Sequence, residues 1–154
     1  MTTETDIRED AEKHTSSASD RLPLTISAAA QALRDGSITS RELTEKTIAR
    51  AEVLDERLGV YIMRLDEAAR EAADRADDQF ARGVDLGPLQ GIPLGIKDNI
   101  ALAGAPVTAQ SLVLKPGFGD GQDAPVVSRL RAAGAVLTGK LTTMEFAVGM
   151  PDPA

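Results

Sequence analysis

Between residues 83 and 93 the chain carries Gly83, Gly87, Pro88, Gly91 and Pro93, and no helix or strand of ordinary length runs through such a cluster. This punctuation is the internal boundary of the sequence. Before it, apolar residues recur at helical spacing. After it, short aliphatic stretches alternate with small residues in the manner of strands. The two halves also differ in charge: residues up to Asp85 hold 19 acids and 12 bases, whereas the remainder holds five of each. The net charge of −7 therefore belongs to the first half. It leaves no basic stripe to neutralise phosphates, so direct nucleic-acid binding is not expected.

Residues 1–22 are rich in Thr, Ser, Asp, Glu and Lys, with Ile7 and Leu22 almost alone as large apolar residues. Such a segment cannot offset its ordering entropy by burial and is read as a disordered polar tail. Residues 23–154 form the folded part. Thr25 or Ser27 begins a helix whose Ile26, Ala29, Ala30 and Leu33 share one side, and Gly36 suits a left-handed C-terminal cap. Thr39 or Ser40 caps a second helix with Glu42 in its first turn and Leu43, Thr47, Ala51 and Leu54 along one face, ending before Gly59. Tyr61 to Met63 suits a short extended link. From Asp66 to Arg82 a helix rich in Ala, Glu, Asp and Arg is read as a solvated surface helix.

In the second half, Ile92, Leu94 and Ile96 alternate with Pro93, Gly95 and Lys97, so a strand here holds its aliphatics on one face and small residues plus one lysine on the other. Residues 101–121 read as loops broken by glycine and proline. Asp123 is placed as the N-cap of a helix through Val126, Val127, Leu130 and Ala133, closed by Gly134, and Ala135-Val136-Leu137 follows as a short buried strand. A helix feeding a strand through a single glycine is the unit of an α/β sheet covered by helices. The stretch Gly134 to Lys140 nearly reproduces a phosphate-binding loop, but Leu141 stands where Ser or Thr would hold magnesium and the intervening residues are aliphatic, so it is read as the end of a strand.

The residue inventory excludes several chemistries. There is no Cys, hence no thiolate catalysis, disulfide or cysteine-ligated metal. The single His, His14, lies in the polar tail, which excludes a Ser-His-Asp triad or a multi-histidine metal centre. No metal and no cofactor are expected. No run of 18 apolar residues could span a bilayer, and the acidic N-terminus does not resemble a secretory signal, so a cytoplasmic location without membrane contact is expected. Ser111 and Ser128 lie in no glycine-rich elbow; Ser128 belongs on a helix face, and the pair Ser16-Ser17 sits in the tail. Glu145 has no carboxylate partner nearby in sequence and is read as a helix-surface residue.

Lys97 has the best local argument for chemistry. A lysine that acts as a base must be neutral, which costs about 4 kcal/mol against an ordinary value near 10.4. Burial among Pro93, Gly95 and Ile96 would supply that desolvation, and Asp98 would point to the opposite strand face. The alternative on periodicity alone is a strand-end lysine extending its stem to solvent.

Taken whole, the segment from Gly87 to Ile100, with Gly91-Ile92-Pro93-Leu94-Gly95-Ile96-Lys97-Asp98-Asn99 at its centre, resembles the first signature block of the amidase-signature family. The resemblance continues through Asp123-Ala124-Pro125-Val126-Val127, through Arg129 to Val136, and through Gly139-Lys140 with Glu145-Phe146-Ala147-Val148-Gly149. It extends less specifically back to Ala28–Leu33 and to Thr39–Leu43, covering about residues 24–150. It implies the N-terminal portion of an α/β/α fold with a mixed central sheet, incomplete in this chain. It also implies a Ser-cisSer-Lys mechanism of amide-bond hydrolysis in which the lysine matching Lys97 deprotonates a bridging serine that activates the nucleophilic serine. Both serines belong to a Gly/Ser-rich block with no counterpart in these residues, so this chain alone is expected to be inactive. The partner of the complete enzyme would be a small-molecule amide substrate, and association through unpaired sheet edges is expected of the isolated chain. Two other readings stay open: a truncated A subunit of a glutamyl-tRNA(Gln) or aspartyl-tRNA(Asn) amidotransferase, and a non-catalytic interaction module.

Overall fold

The computed structural model describes Pro23 and residues 25–149. The tail expected over residues 1–22 lies outside the described residues. Helix α1 spans Ile26–Arg34, α2 Ser40–Leu58 and α3 Asp66–Ala81. Strand β1 spans Tyr61–Arg64, β2 Pro93–Lys97 and β3 Val136–Leu141, with α4, Pro125–Ala132, between the last two.

The first helices begin and end where their caps place them. The Thr25 side chain accepts from the Ala28 N–H, and Gly36 takes φ +74° just after α1. At α2 a complete capping box forms, in which Thr39 accepts from Glu42 N–H while the Glu42 carboxylate accepts from Thr39 N–H. Gly59 closes this helix in the left-handed region. The α2 start has a second acceptor that its own sequence does not supply: the Asp77 carboxylate of α3 takes the N–H groups of Ser40 and Arg41 at 2.7 and 2.9 Å. A carboxylate on the free N–H groups of a helix N-terminus satisfies orphan donors and complements the helix dipole.

Helix α3 is charged outside and alanine-lined inside. Ala69, Ala73 and Ala76 are buried at i, i+4, i+7 spacing, and residues without a long side chain let the helix lie close to the sheet. Its Arg70 binds Glu67 within the helix and Glu45 of α2, and Arg41 of α2 reaches Asp74. The charge run read as one solvated face is thus partly a seam between two helices.

The sheet has the order β1-β3-β2. β3 pairs antiparallel with β1, Tyr61 opposite Leu141, and parallel with β2, Lys97 opposite Leu141. Parallel neighbours need a crossover, and α4 provides it. Adjacent β3 residues serve opposite faces: Val136 packs on Ala69 and Ala73 of α3, whereas Leu137 joins Ile96, Leu102 and Val127 of α4. Helices therefore cover both faces of a mixed sheet, the α/β/α layering that the resemblance implies. A third cluster joins Ala29, Ala30 and Leu33 of α1 to Leu43 and Ile92. The outer edges of β1 and β2 are unpaired among the described residues.

Two expectations about where elements begin and end need correction. Asp123 does not cap α4. The cap residue is Ala124, with Pro125 in the first turn, and the Asp123 carboxylate instead accepts from Ala103 N–H and Arg131 Nε. Pro125 removes one of the donors that a cap would have satisfied, which frees Asp123 to tie the preceding loop to the helix. The last strand is also longer than Ala135–Leu137: it continues to Leu141 and remains buried through Lys140.

Candidate functional site

β2 and β3 run parallel and their carboxyl ends lie side by side, the place where open α/β sheets bind ligands. Lys97 is the last residue of β2. Gly95, two residues earlier, leaves room for the Leu141 side chain of β3: a Cβ there would lie 2.7 Å from it. A register irregularity between Leu94 and Gly95 adjusts the strand before it delivers Lys97. The turn that follows is closed by Ile100 N–H donating to the Lys97 carbonyl at 2.9 Å, and Asp98 N–H donates to the Leu141 carbonyl at 3.0 Å.

Lys97 itself is exposed and takes part in no ion pair among the described residues. The burial expected from Pro93, Gly95 and Ile96 is not supplied by this part of the fold: Ile96 turns into the core while Gly95 and Lys97 face outward. The buried lysine is Lys140. Its side chain is 1% exposed and its ammonium lies 3.0 Å from Asp98 Oδ1, whose side chain is equally buried. The ammonium also donates to the Pro106 carbonyl at 3.0 Å and to the Asp98 carbonyl at 3.4 Å. The other carboxylate oxygen, Oδ2, accepts from Thr108 N–H at 3.2 Å and from the Thr108 hydroxyl. Burial pushes the Asp98 carboxyl up, but the Thr108 hydrogen bonds and the Lys140 ammonium outweigh it and hold the group below its ordinary value. Asp98 is accordingly a compensated carboxylate, and Lys140 rather than Lys97 provides the compensation. Sequence reasoning singles out both residues without joining them. The available signal is a charged residue inside the aliphatic stretch Ala135–Leu141, which has to find a partner if it is buried.

Beyond Thr108 the loops at this end of the sheet are clasped together. Phe146 N–H donates to the Ala109 carbonyl, Thr143 N–H to the Gln110 side chain, and the Ser111 hydroxyl to Glu145 at 2.7 Å. Ala109, Gln110, Phe146 and Ala147 all have positive φ, between 47° and 59°, a conformation that costs a non-glycine residue roughly 1 kcal/mol or more. Strain shared by two loops that hold each other marks this end of the sheet as over-determined. Next to it lies an open, mostly apolar cleft of about 350 Å³, lined by residues that include Pro106, Thr108, Ser111, Leu114 and Pro116; Lys97 is not in its lining. Ser111 thus donates to the Glu145 carboxylate and not to a lysine, Glu145 sits in a short 3₁₀ turn (Glu145–Ala147) instead of on a helix face, and Ser128 is exposed on α4. Among the described residues no three His, Cys, Asp or Glu side chains cluster to hold a metal, and no helix is long and apolar enough to cross a membrane.

Comparison with known proteins gives a consistent answer. Residues 42–151 match the amidase family. The A subunit of the glutamyl-tRNA(Gln) amidotransferase from Chloroflexus aggregans is 47% identical over 126 residues, which cover 82% of this chain and 26% of that protein. Its counterpart from Anaeromyxobacter dehalogenans is 44% identical over 112 residues, 73% of this chain and 23% of that one. Among solved structures, the peptide amidase of Stenotrophomonas maltophilia superposes with a TM-score of 0.73 at 36% identity, over 80% of this chain and 25% of the amidase. The chain spans about a quarter of the length of the relatives it matches. With the family matched over most of its residues and the same α/β architecture in its solved relatives, the chain belongs to the amidase-signature family.

Proposed function

We propose that these residues contribute the general base, Lys97, to an amide-bond-cleaving site of the Ser-cisSer-Lys type, and that the chain of residues 1–154 does not turn over substrate by itself. The observation that carries this reading is the placement of Lys97 at the carboxyl end of a parallel strand, exposed and outside any ion pair among the described residues, within the Gly91–Asn99 signature segment. A base must reach the group whose proton it takes, and Lys140 is buried with its ammonium held by Asp98 and the Pro106 carbonyl. Lys97 remains solvated here, so the desolvation that a neutral lysine requires has to come from whatever covers this end of the sheet.

Acyl-enzyme chemistry needs a nucleophile and a group that relays its proton to the base, and removing one member of such a unit abolishes most of its rate. Purified residues 1–154 should therefore hydrolyse small amides no faster than buffer. A chimera in which the matched region of the peptide amidase is replaced by these residues should turn over, and Lys97→Ala should lower its kcat by about 10³-fold or more. Turnover by the 154-residue chain that disappears in Lys97→Ala would overturn the first statement. Full activity of the Lys97→Ala chimera would overturn the second.

A second reading has its own support: the 47% identity to the A chain of a tRNA-dependent amidotransferase. In that reading the same lysine serves amide cleavage coupled to transfer of ammonia, with partner chains. Replacing the matched region in the Chloroflexus aggregans protein and in the peptide amidase separates the two readings: activity restored in the first and not in the second favours the amidotransferase, and the converse favours the amidase.

A further inference from the structure

Lys140 is an expensive residue to place at the middle of a sheet. A lysine removed from water carries a large desolvation cost before its partners are counted, and an apolar side chain of similar volume would pack the site as well or better. What an apolar residue could not do is hold a carboxylate and two carbonyls together. The Lys140 ammonium donates to the Asp98 and Pro106 carbonyls and forms an ion pair with Asp98 Oδ1. Two of these oxygens belong to the residue directly after Lys97. The third begins the loop whose Thr108 grips the other oxygen of the same carboxylate.

We infer that Lys140 is a positioning residue for Lys97, strapping the turn that follows it to the central strand and to the 106–108 loop. The main chain completes the strap. Lys97 lies opposite Leu141 in the parallel register, Asp98 N–H donates to the Leu141 carbonyl, and Ile100 N–H donates back to the Lys97 carbonyl. Residues 97–98 are thus bound to residues 140–141 through both backbone and side chains, and Lys97 cannot shift along the strand without breaking a buried ion pair. The pair also consumes the negative charge of Asp98 inside the core, so the carboxylate next in sequence to Lys97 does not serve as its counter-ion. This significance rests on Lys97 being the base, but the strap itself is measurable without any turnover.

The test is amide hydrogen exchange and side-chain NMR on the 154-residue chain carrying Asp98→Asn together with Lys140→Met, which removes both charges while nearly preserving volume. Exchange at the Ile100 and Thr108 amides should quicken by about tenfold or more, the effect of one lost hydrogen bond, and the Lys97 side-chain carbon signals should shift or broaden. The Ala69 and Ala133 amides, remote from the strap, should stay within about twofold. A folded double variant in which Ile100, Thr108 and Lys97 behave as in the parent would show that the pair only fills space, and would overturn the inference. Should the double variant not fold, Thr108→Val decides the matter: it removes the hydroxyl donor to Asp98 and keeps both charges. Faster exchange at Ile100 then supports the strap, and unchanged exchange refutes it. An active Lys97→Ala chimera would remove the base and leave these exchange rates untouched, so the two claims fail separately.

Discussion

Gly139 of β3 has no room for a side chain against the backbone of β1, and it allows the packing of this sheet to be tested quantitatively. It has φ +150°, and a Cβ added there would lie 2.3 Å from the Met63 carbonyl oxygen and 3.0 Å from Arg64 Cα. An ordinary carbon–oxygen contact is about 3.3 Å, so Gly139→Ala asks β1 to move by about 1 Å. The obstacle is backbone, and no side chain can rotate out of the way. Moving β1 strains or breaks the antiparallel pairing around Met63 and Arg64 and the bond from Leu65 N–H to the Thr138 carbonyl. At about 1 kcal/mol for each of two hydrogen bonds, with about 1–3 kcal/mol for an alanine held at this φ, the loss should be about 3–5 kcal/mol. That is a large part of the roughly 5–15 kcal/mol typical of a domain. Gly104→Ala is the matched control. Gly104 also has positive φ, +91°, but nothing lies within 4 Å of its added Cβ, so it should cost only the conformational part, about 1–2 kcal/mol. Urea unfolding followed by far-ultraviolet circular dichroism gives both values, compared at equal m. If Gly139→Ala falls within about 1 kcal/mol of Gly104→Ala, the close approach of β1 to β3 is wrong.

Two more outcomes follow from the packing and the charges. Leu102 is fully buried against Ile96, Val127 and Leu137, and Leu102→Ala should cost about 2–5 kcal/mol in thermal or urea unfolding; a loss under about 1 kcal/mol would mean that the loop after β2 is not part of the core. Asp35, Glu42, Glu45, Asp85 and Asp98 all titrate below their ordinary values. The first four do so through hydrogen bonds from Ser37, Thr39, Arg70 and Arg34 respectively, and Asp98 through Thr108 and Lys140 against the opposing effect of burial. Folding thus favours the ionised forms. The stabilisation is complete above the unfolded carboxylate range, about 3.9–4.3, and is lost as the pH falls through the lower folded values. Urea midpoints should hold from about pH 7 to pH 5 and drop below about pH 4, and a midpoint that rises on acidification would contradict the assignment.

How far the sequence disclosed this molecule depends on the distance over which each feature is decided. Capping of α1 and α2 and the glycine closures at Gly36 and Gly59 involve residues three or four apart, and they are legible because their geometry is local. The alternation of Ile92, Leu94 and Ile96 reveals a strand for the same reason. Asp123 fits the capping rule equally well, yet Arg131 and Ala103 claim its carboxylate, and no local rule contains Ala103. The pairing of Lys140 with Asp98 spans 42 residues and depends on β3 lying beside β2, which periodicity cannot specify. Lys97 shows the limit most plainly. Alternation assigns it to the face opposite Ile96, but whether that face is dry or wet depends on which layer covers it, and here α4 covers the Ile96 side. The signature segment points to the family, and only the structure showed that the buried ammonium at this end of the sheet belongs to the other lysine.

The strand order β1-β3-β2 has a consequence for how the chain is made. Among the described residues the two outer strands are not paired with each other, and each pairs with β3 alone, which is the last of the three in sequence. Tyr61 finds no partner until Leu141 has been synthesised, and Pro93 none until Val136 has. On a ribosome adding about 5–20 residues per second, both outer strands emerge and wait seconds for the segment that will separate and join them. During that interval the helices α1 to α3 can assemble by local contacts, but β1 and β2 remain unpaired ribbons. The sheet therefore closes in one step when β3 inserts, and a nascent chain halted shortly before Val136 should show helix without sheet.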